Sequence, residues 1–164
     1  MLLEKHCWAE VSLDALRENF RLVQAAAGST PVMAVVKANA YGHGDTAVAQ
    51  LLEAGGAAAF AVADFAEALR LRRAQISRPI LILGWTDPAC AAALAVNTIT
   101  QAAVSLEHAK ALSYAALHAG VTLNVHLKVD TGMGRVGFAA RDDMERVVAE
   151  MEQACHLPNL VPTG

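Results

Sequence analysis

Apolar positions along the chain alternate between two patterns, one of helical period and one of short unbroken runs. Over residues 14–28, Leu16, Phe20, Val23 and Ala27 recur at intervals of three and four, which predicts an amphipathic helix stopped by Gly28. Residues 31–37 form a continuous apolar run of the kind buried on both faces of a parallel sheet. Asp45 is expected to cap a helix carrying Val48, Leu51 and Leu52, with Gly55 and Gly56 at its end. Residues 59–63 read as the next strand. Asp64, with Glu67 three residues on, has the spacing of a capping box and opens a helix to Arg73.

The alternation continues. Residues 79–83 are a strand, and Asp87-Pro88 sets a cap followed by proline at the first helical position. Residues 98–104 are a fourth strand, Ser105 caps a helix running to Gly120, and residues 121–129 are a fifth strand. A last helix is expected over 141–155, and Leu160-Val161 begins a sixth strand. Strand and helix therefore alternate in units of about 20 to 30 residues, the signature of a parallel sheet with right-handed crossovers. Two architectures share it. A doubly wound sheet fits the 164 residues, whereas a (β/α)8 barrel needs about 250. Periodicity and length together favour the doubly wound sheet. No Pro/Gly/Ser-rich linker divides the chain, so residues 1–164 read as one unit.

Composition narrows the classes. Hydrophobic residues make up 55% and charged residues 18%, which excludes intrinsic disorder. The net charge is −3 and no basic face is built, so nucleic acid is not an expected partner. The dense stretch Arg70-Leu71-Arg72-Arg73 reads as the solvated end of a helix, where cations suit the dipole. The longest unbroken apolar run, residues 57–63, falls far short of the roughly 20 residues of a membrane span. Charges within Met1–His6 argue against a signal peptide. Three well-separated cysteines, Cys7, Cys90 and Cys155, read as free thiols of a reducing cytoplasm. The pairs His6-Cys7 and Cys155-His156 lack metal-ligand spacing, and no metal is expected.

Two segments carry chemistry. In the first, Val35-Val36-Lys37-Ala38-Asn39-Ala40-Tyr41-Gly42-His43-Gly44, Lys37 ends an apolar strand at the carboxyl edge of the sheet, where α/β proteins place their sites. A lysine rooted there loses hydration, which favours the neutral amine that a Schiff base requires. The plainer alternative is a strand-end lysine reaching solvent. Gly42 and Gly44 allow close backbone approach to a ligand, yet match neither the P-loop nor the dinucleotide fingerprint.

The second segment, residues 126–135, again ends a strand and sets Lys128, Asp130 and Arg135 around a double-glycine loop. Alternation puts His126, Lys128 and Asp130 on one face. A structural salt-bridge network is the competing account of these charges.

Together these segments resemble the alanine racemase family. Val-Val-Lys-Ala-Asn-Ala-Tyr-Gly-His-Gly resembles its pyridoxal-phosphate attachment motif, and Lys-Val-Asp-Thr-Gly-Met-Gly-Arg its second signature. Trp8-Ala9-Glu10-Val11, Asp14-Ala15-Leu16 and Pro79-Ile80-Leu81-Ile82-Leu83-Gly84 also fit, in the family's order. The resemblance replaces the doubly wound expectation with a TIM-type (β/α)8 barrel. Residues 1–164 would be its amino-terminal part, about five to six βα units of eight, without the family's carboxyl-terminal β domain.

The resemblance implies a pyridoxal 5'-phosphate-dependent isomerase interconverting L- and D-alanine, which supplies D-alanine for peptidoglycan. Lys37 would carry the cofactor as a Schiff base and act as one of two catalytic bases. Tyr41 would bond the cofactor phosphate, and Leu83 would wall its ring. Arg135 would bond the cofactor's phenolic oxygen and orient the substrate carboxylate. Lys128 would be carbamylated, its acquired negative charge holding Arg135. The second base, a tyrosine, would come from the other domain across a homodimer interface. Serine racemases share these motifs, and non-catalytic pyridoxal-phosphate barrels share the fold. As an isolated chain, these residues are expected to be inactive or weakly active.

Overall fold

The computed structural model describes residues 7–141 and 143–164. The charged segment Met1–His6, with the histidine of the His6–Cys7 pair, lies outside the described residues.

Local signals place most elements. Ser12 Oγ accepts the Ala15 amide and Gly28 closes helix α1 (Leu13–Ala27) at positive φ. Strand β1 (Met33–Val35) leads to a short left-handed element, α2 (Lys37–Tyr41). Helix α3 (Asp45–Ala54) follows, then β2 (Ala59–Val62), α4 (Phe65–Arg73) and β3 (Ile80–Ile82). Asp87 caps a 3-10 turn, Pro88–Cys90, which runs into α5 (Ala91–Val96) and β4 (Ile99–Ala103). Ser105 Oγ accepts the His108 amide to open α6 (Leu106–Ala119). Strand β5 (Leu123–Leu127), a small pair β6 (Val129–Asp130) and β7 (Phe138–Ala139), helix α7 (Met144–Cys155) and strand β8 (Leu160–Pro162) complete the order.

All six main strands are parallel and stand in the order β1-β2-β3-β4-β5-β8. That order rejects the doubly wound arrangement favoured by periodicity. A doubly wound sheet reverses its strand order at a switch point and covers both faces with helices. Here each crossover advances by one strand in the same direction, as in a (β/α)8 barrel. Alternate residues confirm one-sided packing. Phe60, Val62, Ile80, Ile82, Ile99, Leu123 and Val125 join the helices in a single core. Each such side chain contributes about 1.5–3 kcal/mol by leaving water.

The opposite parity, including Ala61, Leu81 and Ala102, stays outside that cluster. Strand β1 is therefore not buried on both faces: Met33 and Val35 are 40% and 44% exposed while Val36 is buried. Beta pairing also ties the end of the chain down, because β8 bonds in parallel register to β5. Among the described residues no helix is long and apolar enough to cross a membrane.

The arginine-rich end of α4 is not simply solvated. Arg73 is exposed, but Arg72 donates from its guanidinium to the carbonyls of Asn97, Ile76, Arg78 and Thr98 at 2.7–3.0 Å. Its planar fork reaches acceptors in three directions, which an ammonium on a lysine stem does not. Arg72→Lys is expected to cost about 2 kcal/mol in urea unfolding. A loss below about 0.5 kcal/mol, the usual surface value, would show that these carbonyls are equally satisfied by water.

Candidate active site

Strand parity brings the site together. Val35, Ala61 and Leu81 are in register across β1, β2 and β3, on the face turned away from the helices. Two residues further along each strand, on the same face, lie Lys37, Ala63 and Leu83. On β5, His126 shares that face and Lys128 follows it by two. Lys37, Ala63, Leu83, Gly84, Lys128, Arg135 and Val136 line one cavity of about 320 Å3 at the carboxyl edge of the sheet. Gly84 is required there. A Cβ on it would meet the Ala63 carbonyl oxygen at 2.6 Å.

Lys37 does not end the strand as a straight continuation. The chain turns left-handed immediately after it, with Ala38, Asn39, Ala40 and Tyr41 all at φ between 50° and 55°. Each left-handed residue bearing a Cβ costs about 1–2 kcal/mol, so the turn persists only because its surroundings determine it. Internally, the Ala40 amide donates to Val36 O, and the Gly42 and Gly44 amides donate to Asn39 O. From outside, Asn39 Oδ1 accepts the Asp45 amide at 2.9 Å. Gly44, not Asp45, caps α3, and the buried Asp45 carboxylate accepts the Arg70 Nε at 2.6 Å.

Glu67 supplies a further contact. Asp64 caps α4 as expected, its Oδ1 accepting the Glu67 amide at 2.9 Å. The return arm of the capping box goes elsewhere, because Glu67 Oε2 accepts Ala63 N at 2.8 Å and Oε1 accepts Ala38 N at 2.7 Å.

The second segment forms no salt-bridge network among the described residues. Asp130 instead accepts the amides of Gly132, Gly134 and Arg135 at 2.9–3.0 Å. Those donors, Gly132 and Gly134 foremost, hold its carboxyl below the usual carboxylate range. Lys128 Nζ donates to Val136 O at 2.6 Å, which draws the far side of the loop back against β5. Gly137 is fixed at φ 133°, where a Cβ would meet Lys128 O at 2.7 Å. Arg135 is exposed and stands on the cavity rim.

Not every motif residue reaches the cavity. Tyr41 sits on the left-handed turn, 61% exposed, outside the cavity lining. His43 Nδ1 is engaged with Ala40 O at 2.9 Å. His126 lies half-buried against Gly164, and desolvation pushes its imidazole pKa down. Val136 escaped the sequence reading, and Ala63, Gly84 and Glu67 entered it without a place at the site. Strand parity could have found Ala63; Glu67 carried only the local signal of a cap.

The model of the alanine racemase N-terminal domain matches residues 11–164. The chain belongs to the alanine racemase family. It is 41% identical over 157 residues to the alanine racemase of Clostridium perfringens, covering 96% of this chain and 40% of that one. The alanine racemase of Clostridium difficile superposes with a TM-score of 0.89 at 36% identity, over 99% of this chain and 42% of that chain. A histidine racemase from Leuconostoc mesenteroides superposes at 0.79, also at 36% identity, over 92% of this chain and 40% of that one. The chain thus spans about 40% of the length of these relatives.

Members of the alanine racemase family use pyridoxal 5'-phosphate. The residues present fit that group. The cavity offers a half-buried Lys37, two further cations at Lys128 and Arg135 and, among the described residues, no carboxylate in its lining. A flat anionic aldehyde suits such a lining, with Leu83 as apolar wall.

Proposed function

We propose that this chain is the cofactor-holding part of a pyridoxal-phosphate-dependent amino-acid racemase acting on alanine. The observation that carries the reading is the convergence of Lys37, Lys128 and Arg135 on one cavity at the sheet's carboxyl edge. When bound through a lysine amine, the cofactor acts as an electron sink that acidifies the α-hydrogen of an amino acid. Lys37 would supply that amine and would take or return a proton on one face of the substrate α-carbon. Arg135 orients the substrate carboxylate by two parallel hydrogen bonds. Leu83 and Ala63 would exclude water from the cavity wall, and Tyr41, exposed on the turn outside the lining, would reach in from the rim to the phosphate.

Inversion needs a second base on the opposite face. We assign it to a residue beyond this segment, brought up in a homodimer. Lys128 is carbamylated in this reading. A carbamate keeps one N–H for Val136 O while relieving the clustering of three cations. The structural likeness to a histidine racemase leaves the amino-acid side chain to be chosen outside these residues. Exposed free thiols at Cys7 and Cys155 suit a reducing cytoplasm, where D-alanine for peptidoglycan is made.

The test is chemical. Borohydride reduction of the cofactor-loaded protein, followed by peptide mapping, should fix pyridoxal phosphate on Lys37. A label on Lys128 or Lys110 instead would overturn the assignment. Arg135→Lys should keep cofactor binding but lower turnover about a hundredfold, since charge remains while the two-point contact is lost. A kcat equal to that of the parent protein would remove Arg135 from the orienting role.

A further inference from the structure

We propose that Glu67 is a positioning residue for Lys37, its carboxylate setting the direction in which the lysine leaves the sheet edge. The proposal rests on the function proposed above, in which Lys37 carries the cofactor.

Three observations support it. Glu67 Oε1 accepts the amide of Ala38, the residue directly after Lys37, at 2.7 Å, and Oε2 accepts the amide of Ala63 at 2.8 Å. Ala63 lines the same cavity as Lys37, so one carboxylate joins the backbones of two adjacent cavity walls. The Ala38 amide is also the first within the left-handed run Ala38–Tyr41, where Ala38, Ala40 and Tyr41 have no intrinsic preference for positive φ.

Charge-assisted bonds from a carboxylate to two amides are directional, and they act on the peptide plane that links Lys37 to the turn. Loss of that hold frees Ala38 to return to the right-handed or extended regions. A rotation there swings the Lys37 side chain relative to Leu83 and Arg135. The helix itself does not depend on the contact, because Asp64 already caps α4.

The decisive variant in the full-length protein is Glu67→Gln, which keeps size but sets an NH2 group against one of the two amides. The expected result is an unchanged thermal midpoint and a dissociation constant for pyridoxal phosphate raised about tenfold. The absorbance band of the lysine-bound cofactor should weaken relative to the free aldehyde. Deuterium uptake over residues 37–44 should accelerate, measured without cofactor, while uptake over α4 stays as in the parent. Adding Ala38→Gly to Glu67→Gln should recover part of the affinity, since glycine adopts positive φ without steric cost. Should Glu67→Gln fail to fold, Glu67→Asp, one methylene too short to span both amides, is read in the same way.

Parent-like affinity together with parent-like exchange over 37–44 would overturn the proposal. So would accelerated exchange spread evenly over α4 and the core, which is general destabilisation. Failure of the parent protein to bind pyridoxal phosphate at Lys37 would sink the function proposed above. The cofactor-free exchange would still decide whether Glu67 holds the turn.

Discussion

Lys37→Ala should abolish covalent fixation of pyridoxal phosphate and lower racemase turnover by about four orders of magnitude or more. Lys37 has two roles in the proposed reaction, attachment of the cofactor and proton transfer on one face. Groups acting as a unit lose nearly the whole effect when one member is deleted. Stability should change little, because Lys37 is half-buried at a cavity edge and outside the apolar core cluster. Borohydride trapping, absorbance and D-alanine formation from L-alanine read the three consequences separately. Turnover within about tenfold of the parent would show that another amine, Lys128 or Lys110, takes both roles.

The second large effect concerns a polypeptide restricted to residues 1–164. Its sheet has β1 at one side and β8 at the other, and these two strands are not paired to each other. Each presents a row of backbone donors and acceptors, while Met33, Val35 and Val161 stand 40–44% exposed. Open parallel edges with exposed apolar residues invite association, whereas a closed barrel has no edge. Such a polypeptide should associate or unfold readily and, if the function proposed above holds, should racemise alanine at least about a thousandfold more slowly than the proposed homodimer, whose second base it would lack. Light scattering and D-alanine formation in added pyridoxal phosphate test it. Turnover within about tenfold of an intact dimer would mean that a base in these residues, His43 or His126, serves the second face. The structure already sets His43 against Ala40 O and His126 against Gly164.

Most elements were legible because their signals are local. Asp64 and Ser105 each cap the helix expected of them, since a short side-chain oxygen satisfies an amide three residues ahead. Gly28 and Gly120 mark ends at positive φ for an equally local reason. The grouping of the candidate residues was legible too: Lys37, Leu83, Lys128 and Arg135 meet at one cavity. Parallel strands and alternating parity force residues at strand ends to the same edge.

Strand order was not legible from periodicity, because a doubly wound sheet and a barrel bury the same runs of apolar residues. Only the successive pairing of β1 through β5 with β8 separates them. Arg72 read as solvated, yet its four carbonyl acceptors belong to loops that only the fold brings together. The left-handed turn after Lys37 had no local signature, since alanine, asparagine and tyrosine do not demand positive φ. It is imposed by Asn39 against Asp45, and by Glu67 reaching 29 residues back along the chain to Ala38. By itself, then, the sequence placed the candidate residues Lys37, Leu83 and Lys128 at strand ends along one edge. Only the tertiary structure decided how Lys37 is aimed, because the carboxylate that holds the amide directly after it comes from Glu67, 29 residues along the chain.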